Sequence, residues 1–127
     1  MVLLLMQDVD DRSEMDRMRP VVERLQWGVA QQLLQQGLDI VLENGFWTRS
    51  ERLEYCRAAK NSGFRVALHF LDVPRTELLR RIALRNSETR EASLRITTEE
   101  LDTWLGWLEP PGDDESKAYD EFEVIES

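Results

Sequence analysis

One cysteine, one histidine and no apolar run longer than six residues leave this 127-residue chain without several common kinds of chemistry. Cys56 alone cannot close an internal disulfide, which fits a reducing cytoplasm, the expected location. It falls at a helical position among Tyr55, Ala58 and Ala59, so it reads as a small buried residue rather than a nucleophile. One histidine and one cysteine cannot build a zinc site of the usual type, and no metal site is expected. The opening Met1–Met6 segment is too short to span a membrane, lacks a basic flank and runs into acidic residues, so neither a span nor a signal peptide is expected. Basic residues are scarce too. Sixteen Lys and Arg against 25 Asp and Glu give a net charge of -9, which argues against DNA, RNA or an anionic membrane as partner.

What is present is α/β patterning in one domain-sized chain, with no internal repeat and no low-complexity tract. From Asp10 to Gln36, Met15, Met18, Val22, Leu25, Val29, Leu33 and Leu34 recur at spacings of three and four, the period of a helix with one buried face. Pro20 predicts a kink or a fresh start there, and Gly37 an end. Leu38–Leu42 reads as a strand buried on both faces, before Asn44-Gly45. Thr48-Arg-Ser-Glu51 has capping-box spacing and predicts a helix from Arg49 to Asn61, ended by Gly63. Arg65–Leu71 reads as a second buried strand, and Asp72-Val-Pro74 leads into a helix bearing Leu78, Leu79, Ile82 and Ala83. Residues 86–95 lack apolar periodicity and are expected to form a mobile loop. Thr97-Thr-Glu-Glu100 opens a last long helix that Pro110-Pro111 stops, residues 112–121 form an acidic, turn-rich tail, and Phe122–Ile125 could close as an edge strand. Strands separated by helices imply parallel pairing, hence a three-layer α/β/α sheet with ligands at the carboxyl ends of its strands.

The groups emerging at those ends are Glu43, Asn44, Trp47, Asp72 and Pro74. Glu43 could bind a substrate hydroxyl, hold a metal-bound water or act as a base; the bland alternative is a cap or a pair with Arg52. Phe46 and Trp47 could wall a pocket or bury themselves under the next helix. Asp72 ends an apolar strand, as a magnesium-handling acid or as an ordinary turn residue, and His69 reads as a packing residue. The segment from Arg75 to Arg95 carries six arginines against three glutamates, a basic stretch on an acidic chain suited to a small anion. Arg81 and Arg85, four apart, share a helix face and could close over phosphate, or else pair with Glu77 and Glu88.

Leu25-Gln26-Trp27, the block Gly37–Glu43 with Gly45-Phe46-Trp47, Arg49, Glu51 and Arg52, the run Leu68–Pro74 and the run Arg80–Asn86 together resemble bacterial AAA-type predicted kinases. These belong to the P-loop kinase superfamily, alongside zeta toxins and chloramphenicol phosphotransferase; Ile96–Leu101 and Leu108–Pro111 are similar to that family's tail. The resemblance implies a nucleoside-monophosphate-kinase-like fold, MgATP as donor and phosphoryl transfer to a small-molecule acceptor. It implies Glu43 with Arg81 and Arg85 as catalytic residues, Asn44, Trp47, Arg49 and Arg52 on the acceptor side, and Arg81 and Arg85 in a lid, loop 86–95, near the nucleotide.

One departure stands out: none of the six glycines precedes a lysine, and the only lysines are Lys60 and Lys117. The Gly-rich Walker loop of the family has no counterpart. The expectation is a single, partial kinase domain over residues 1–127, truncated at an internal methionine and inactive by itself. Its missing central strand would expose edges through which copies could associate. Three repairs remain open: direct pairing of Leu38–Leu42 with Val66–Leu71, a substitute strand from Met1–Met6, or marginal stability. Two rivals also stand, a non-catalytic binding or regulatory remnant and a small-molecule hydrolase or isomerase using Glu43 and Asp72.

Overall fold

A computed structural model describes residues 12–92 and 95–126. The chain divides into two compact units, Met1–Gly45 and Phe46–Ser127. Met1–Met6, one of the three possible repairs of the sheet, and Ser93 and Leu94 of the expected loop lie outside the described residues.

The first unit contains helix α1, Arg12–Gln35, which runs through Pro20 as one helix rather than two. Its exposed apolar residues are Met18, Val21, Leu25 and Val29, whereas Ala30 is fully buried and Val22, Leu33 and Leu34 are half-buried. The sheltered side is therefore not the stripe expected from Met18, Leu25 and Val29. Gly37 ends the helix with a φ of +85°, letting its own N–H reach Leu34 O at 3.0 Å and the Leu38 N–H reach Leu33 O at 3.2 Å. Beyond it, Leu38–Leu42 is not a strand: only Val41 has a bridge, and Leu38 and Val41 are exposed. A strand is defined by its partner, and none of the described strands takes these residues into a ladder.

The second unit holds the sheet. Helix α2, Arg49–Asn61, starts as the spacing predicts, with Thr48 Oγ1 accepting the Glu51 N–H at 3.2 Å. It ends at Gly63, φ +86°, through a Gly63 N–H bond to Lys60 O and a Phe64 N–H bond to Ala59 O. Strand β1, Ala67–Asp72, pairs in parallel with β2, Glu121–Glu126, in the register Ala67 to Glu121 through Asp72 to Glu126. The ladder is seeded by Asp120, whose carboxylate accepts the Val66 N–H at 2.7 Å while its own N–H donates to Val66 O at 2.8 Å. Between the strands run α3, Arg75–Glu88, α4, Thr98–Trp107, and α5, Asp113–Ser116. Among the described residues the sheet has two strands, and β1 is only half-covered: Leu68 and Phe70 are half-buried, His69 and Leu71 exposed.

One further expectation is corrected. Helix α3 continues through Asn86, Ser87 and Glu88, so the loop begins three residues late. Its ends are fastened by one amide: Asn86 donates to Ile96 O at 2.7 Å and accepts from the Ile96 N–H at 2.9 Å. Both polar atoms of the side chain are thereby used, and Ile96 and Leu101 are buried beside the reciprocal Thr97–Glu100 capping box of α4. The acidic, turn-rich tail also enters the core. Glu115 and Tyr119 are among the most buried residues of the unit, with Arg52, Cys56 and Ala59 of α2.

Candidate functional site

Arg52 anchors the second unit. Only 3% exposed, it donates from Nε and Nη2 to the two carboxylate oxygens of Glu115, both at 2.7 Å, in a bidentate fork. Nη2 also donates to Glu109 O at 2.7 Å and Nη1 to Phe46 O at 2.8 Å, while the Tyr119 hydroxyl donates to Glu115 Oε2 at 2.7 Å. Burial pushes the Glu115 carboxyl up, but the bonds from Arg52 and Tyr119 outweigh it and hold the group below its ordinary value. The Glu115 bond raises the Arg52 pKa against the burial that would lower it. Burial, then the bond to Glu115, pushes the Tyr119 phenol up. Nearly every donor of this guanidinium is spent inside the protein, so Arg52 braces the unit and offers no fork to a ligand. The Cys56 thiol, pushed up by burial and directed at Ala118 O at 3.4 Å, is an inert packing group as expected.

The bonds of Arg52 fix the chain on both sides of α2. Phe46 has a φ of +51°, a left-handed backbone costly for a residue with a side chain; its carbonyl is held by Arg52 and its ring stands edge-on to Tyr55 at 5.2 Å. Trp47, half-buried, accepts the Glu109 N–H at 2.8 Å, and the Glu109 Oε2 accepts the Arg49 N–H at 3.1 Å. Glu109 is thereby clamped against the first turn of α2. Along the same helix an open groove of about 370 Å³ is lined by Arg49, Ser50, Leu53, Arg57 and Glu109.

The other sequence candidates fall in both units. Glu43 is exposed and Asn44 half-buried, both in the first unit, and the carboxylate partner of Arg52 is Glu115. Arg81 donates from Nε to Glu77 Oε1 at 2.9 Å, and Arg80 makes its own fork to Glu77 with bonds of 2.9 and 2.6 Å. Hydrogen bonds from Arg80 and then Arg81 lower the Glu77 pKa to about 2. Arg85, one turn on, is exposed and makes no ion pair with a described residue. Asp72 is exposed opposite Glu126, and His69 is an exposed strand residue 3.9 Å from Glu123 rather than a packed one.

Glu115, Tyr119, Asn86 and Arg57 were not singled out by sequence reasoning. Only Arg57 carried a usable signal, because Arg49, Leu53 and Arg57 repeat every four residues on one helix face.

No helix among the described residues is long and apolar enough to cross a membrane. No curated protein and no solved structure matches the chain. A family model described as an AAA domain matches residues 3–111, which include α1 to α4, β1, Arg52 and the groove, and stops short of Glu115, Tyr119 and β2. That match spans most of the sequence, and the chain therefore belongs to the AAA domain family, with a scaffold of the P-loop NTPase-like kind.

Proposed function

We propose that the chain is an ATP-dependent phosphotransferase scaffold, nucleoside-monophosphate-kinase-like in its complete three-layer arrangement, that keeps an acceptor side and lid arginines but does not turn over ATP by itself. The observation that carries this reading is the AAA domain match over residues 3–111. Within the second unit, Trp47 and Arg49 serve a small-molecule acceptor, Arg52 braces that side, and Arg85 is the lid arginine best able to meet transferred charge. Arg81 would have to leave Glu77 to join it.

The residues present do not fit MgATP, which the family implies. Lys60 lies in the last turn of α2 and Lys117 at the end of α5; both are exposed and neither follows a glycine, so no lysine-bearing cradle for a triphosphate forms. Among the described residues no group of three or more His, Cys, Asp and Glu side chains gathers for a metal ion. The purified chain is expected to release no phosphate from MgATP in a continuous phosphate assay; turnover lost on Arg85→Ala would refute the reading. A second reading, a non-catalytic binding module of the same family, is favoured by that same donor set.

A further inference from the structure

We propose that the groove along α2 is a binding site for a small phosphate monoester that also carries a hydroxyl or amino group. It holds two guanidinium groups and one carboxylate, a net positive depression on a chain of net charge -9. Arg49 and Arg57 are both exposed, and neither guanidinium forms an ion pair with a described residue, although Glu109 and Glu115 lie on neighbouring segments. Arg75, Arg80 and Arg81, by contrast, are all spent on acids.

The arginines are eight residues apart, about 12 Å along the helix axis, with Leu53 midway between them. Long side chains anchored at that separation can converge on one anion lying over Leu53, and planar forks suit phosphate oxygens. Leu53 supplies an apolar floor for a short carbon chain, and Ser50 a hydroxyl. Glu109 supplies the complementary end. Its backbone is held at both amide groups, by Trp47 and Arg52, while its carboxylate uses one oxygen on Arg49 N–H and keeps acceptor capacity for a hydroxyl or ammonium group. The N-terminus of α2 is not itself the site, because Thr48 and Glu109 already take N–H groups of its first turn. At about 370 Å³ the groove is open to solvent and would leave part of a small ligand exposed. The backbone of α2 is held in place by the buried fork from Arg52 to Glu115 of α5, while the exposed side chains of Arg49 and Arg57 are ordered by the ligand.

The inference does not rest on the phosphotransferase reading, since the ligand is recognised without ATP. The experiment is an amide chemical-shift titration of the full chain with O-phosphoethanolamine, inorganic phosphate and ethanolamine at constant ionic strength. Saturable shifts at Arg49, Ser50, Leu53 and Arg57 are expected with phosphoethanolamine, while Val66 and Asp120 stay still. Arg57→Gln, at an exposed and unpaired position, should weaken binding about tenfold, the scale of one charge-assisted hydrogen bond. Arg57→Lys should recover part of it, and Glu109→Gln should weaken phosphoethanolamine more than phosphate. Absence of saturable shifts at these four amides, or identical titrations of wild type and Arg57→Gln, overturns the site. Equal affinity for phosphate and phosphoethanolamine overturns the role of Glu109 and the ligand class. None of these outcomes bears on ATP turnover, which is read separately.

Discussion

Two arginine–glutamate clusters in the second unit use the same chemistry under opposite conditions. Arg52 and Glu115 are almost wholly buried, 63 residues apart in sequence, and shared with Tyr119 and two backbone carbonyls. Glu77, Arg80 and Arg81 lie within one turn of α3, with both arginines exposed to water. Exposed pairs are worth little because water and salt compete for each charge, whereas one member of a buried pair cannot be removed without stranding the other. Similar geometry thus separates an arginine committed to the fold from arginines that can be redirected to a ligand. That difference assigns Arg52 to the brace, whereas Arg81 could be drawn off Glu77 at little cost.

The largest break in this contrast should come from Glu115→Ala, which leaves the Arg52 guanidinium buried without its counter-ion. A loss of about 3–5 kcal/mol is expected, enough to unfold a small unit, and urea denaturation followed by tryptophan fluorescence measures it. Tyr119→Phe removes one hydrogen bond to the same carboxylate and its loss should be about 1–3 kcal/mol by the same method.

Acid sharpens the comparison further. The folded-state pKa of Glu115 is depressed, so its contribution is complete above the ordinary carboxylate value of 4.5 and is lost as pH falls through the lower folded value. Denaturation midpoints should therefore drop below pH 4.5 in the wild type, and 0.5 M salt, about 4 Å of screening length, should not abolish the buried contribution. The smallest effect belongs to Glu77→Gln. Glu77 titrates near pH 2, but both its arginine partners are solvated, so a melting curve at neutral pH should shift little and less still in salt.

Much of the unit was legible because its signals are local. Thr48 and Thr97 cap where their spacing says they should, Gly37 and Gly63 close helices with left-handed backbones, and the apolar run before Asp72 forms β1. The short apolar run near the C-terminus does become a strand. What failed was non-local. Leu38–Leu42 has strand composition but no ladder among the described strands, and composition cannot supply a partner. Asp113-Asp114-Glu115-Ser116 reads only as part of an acidic, turn-rich tail, and the distant Arg52 makes its third residue a core group. Asn86 looked like the start of a loop because its role is to bond Ile96, ten residues on. The candidate residues were legible as types, arginines and acids near element ends, but not as spent or available, since that depends on which carboxylate folds against which guanidinium.

Under the proposed reading, this AAA domain chain carries a phosphotransferase scaffold without a working triphosphate site of its own. Calorimetric titration of MgATP into the 127-residue chain tests it most directly. No saturable heat is predicted; a one-site isotherm with a Kd below about 1 mM, abolished by Arg85→Ala, would contradict it.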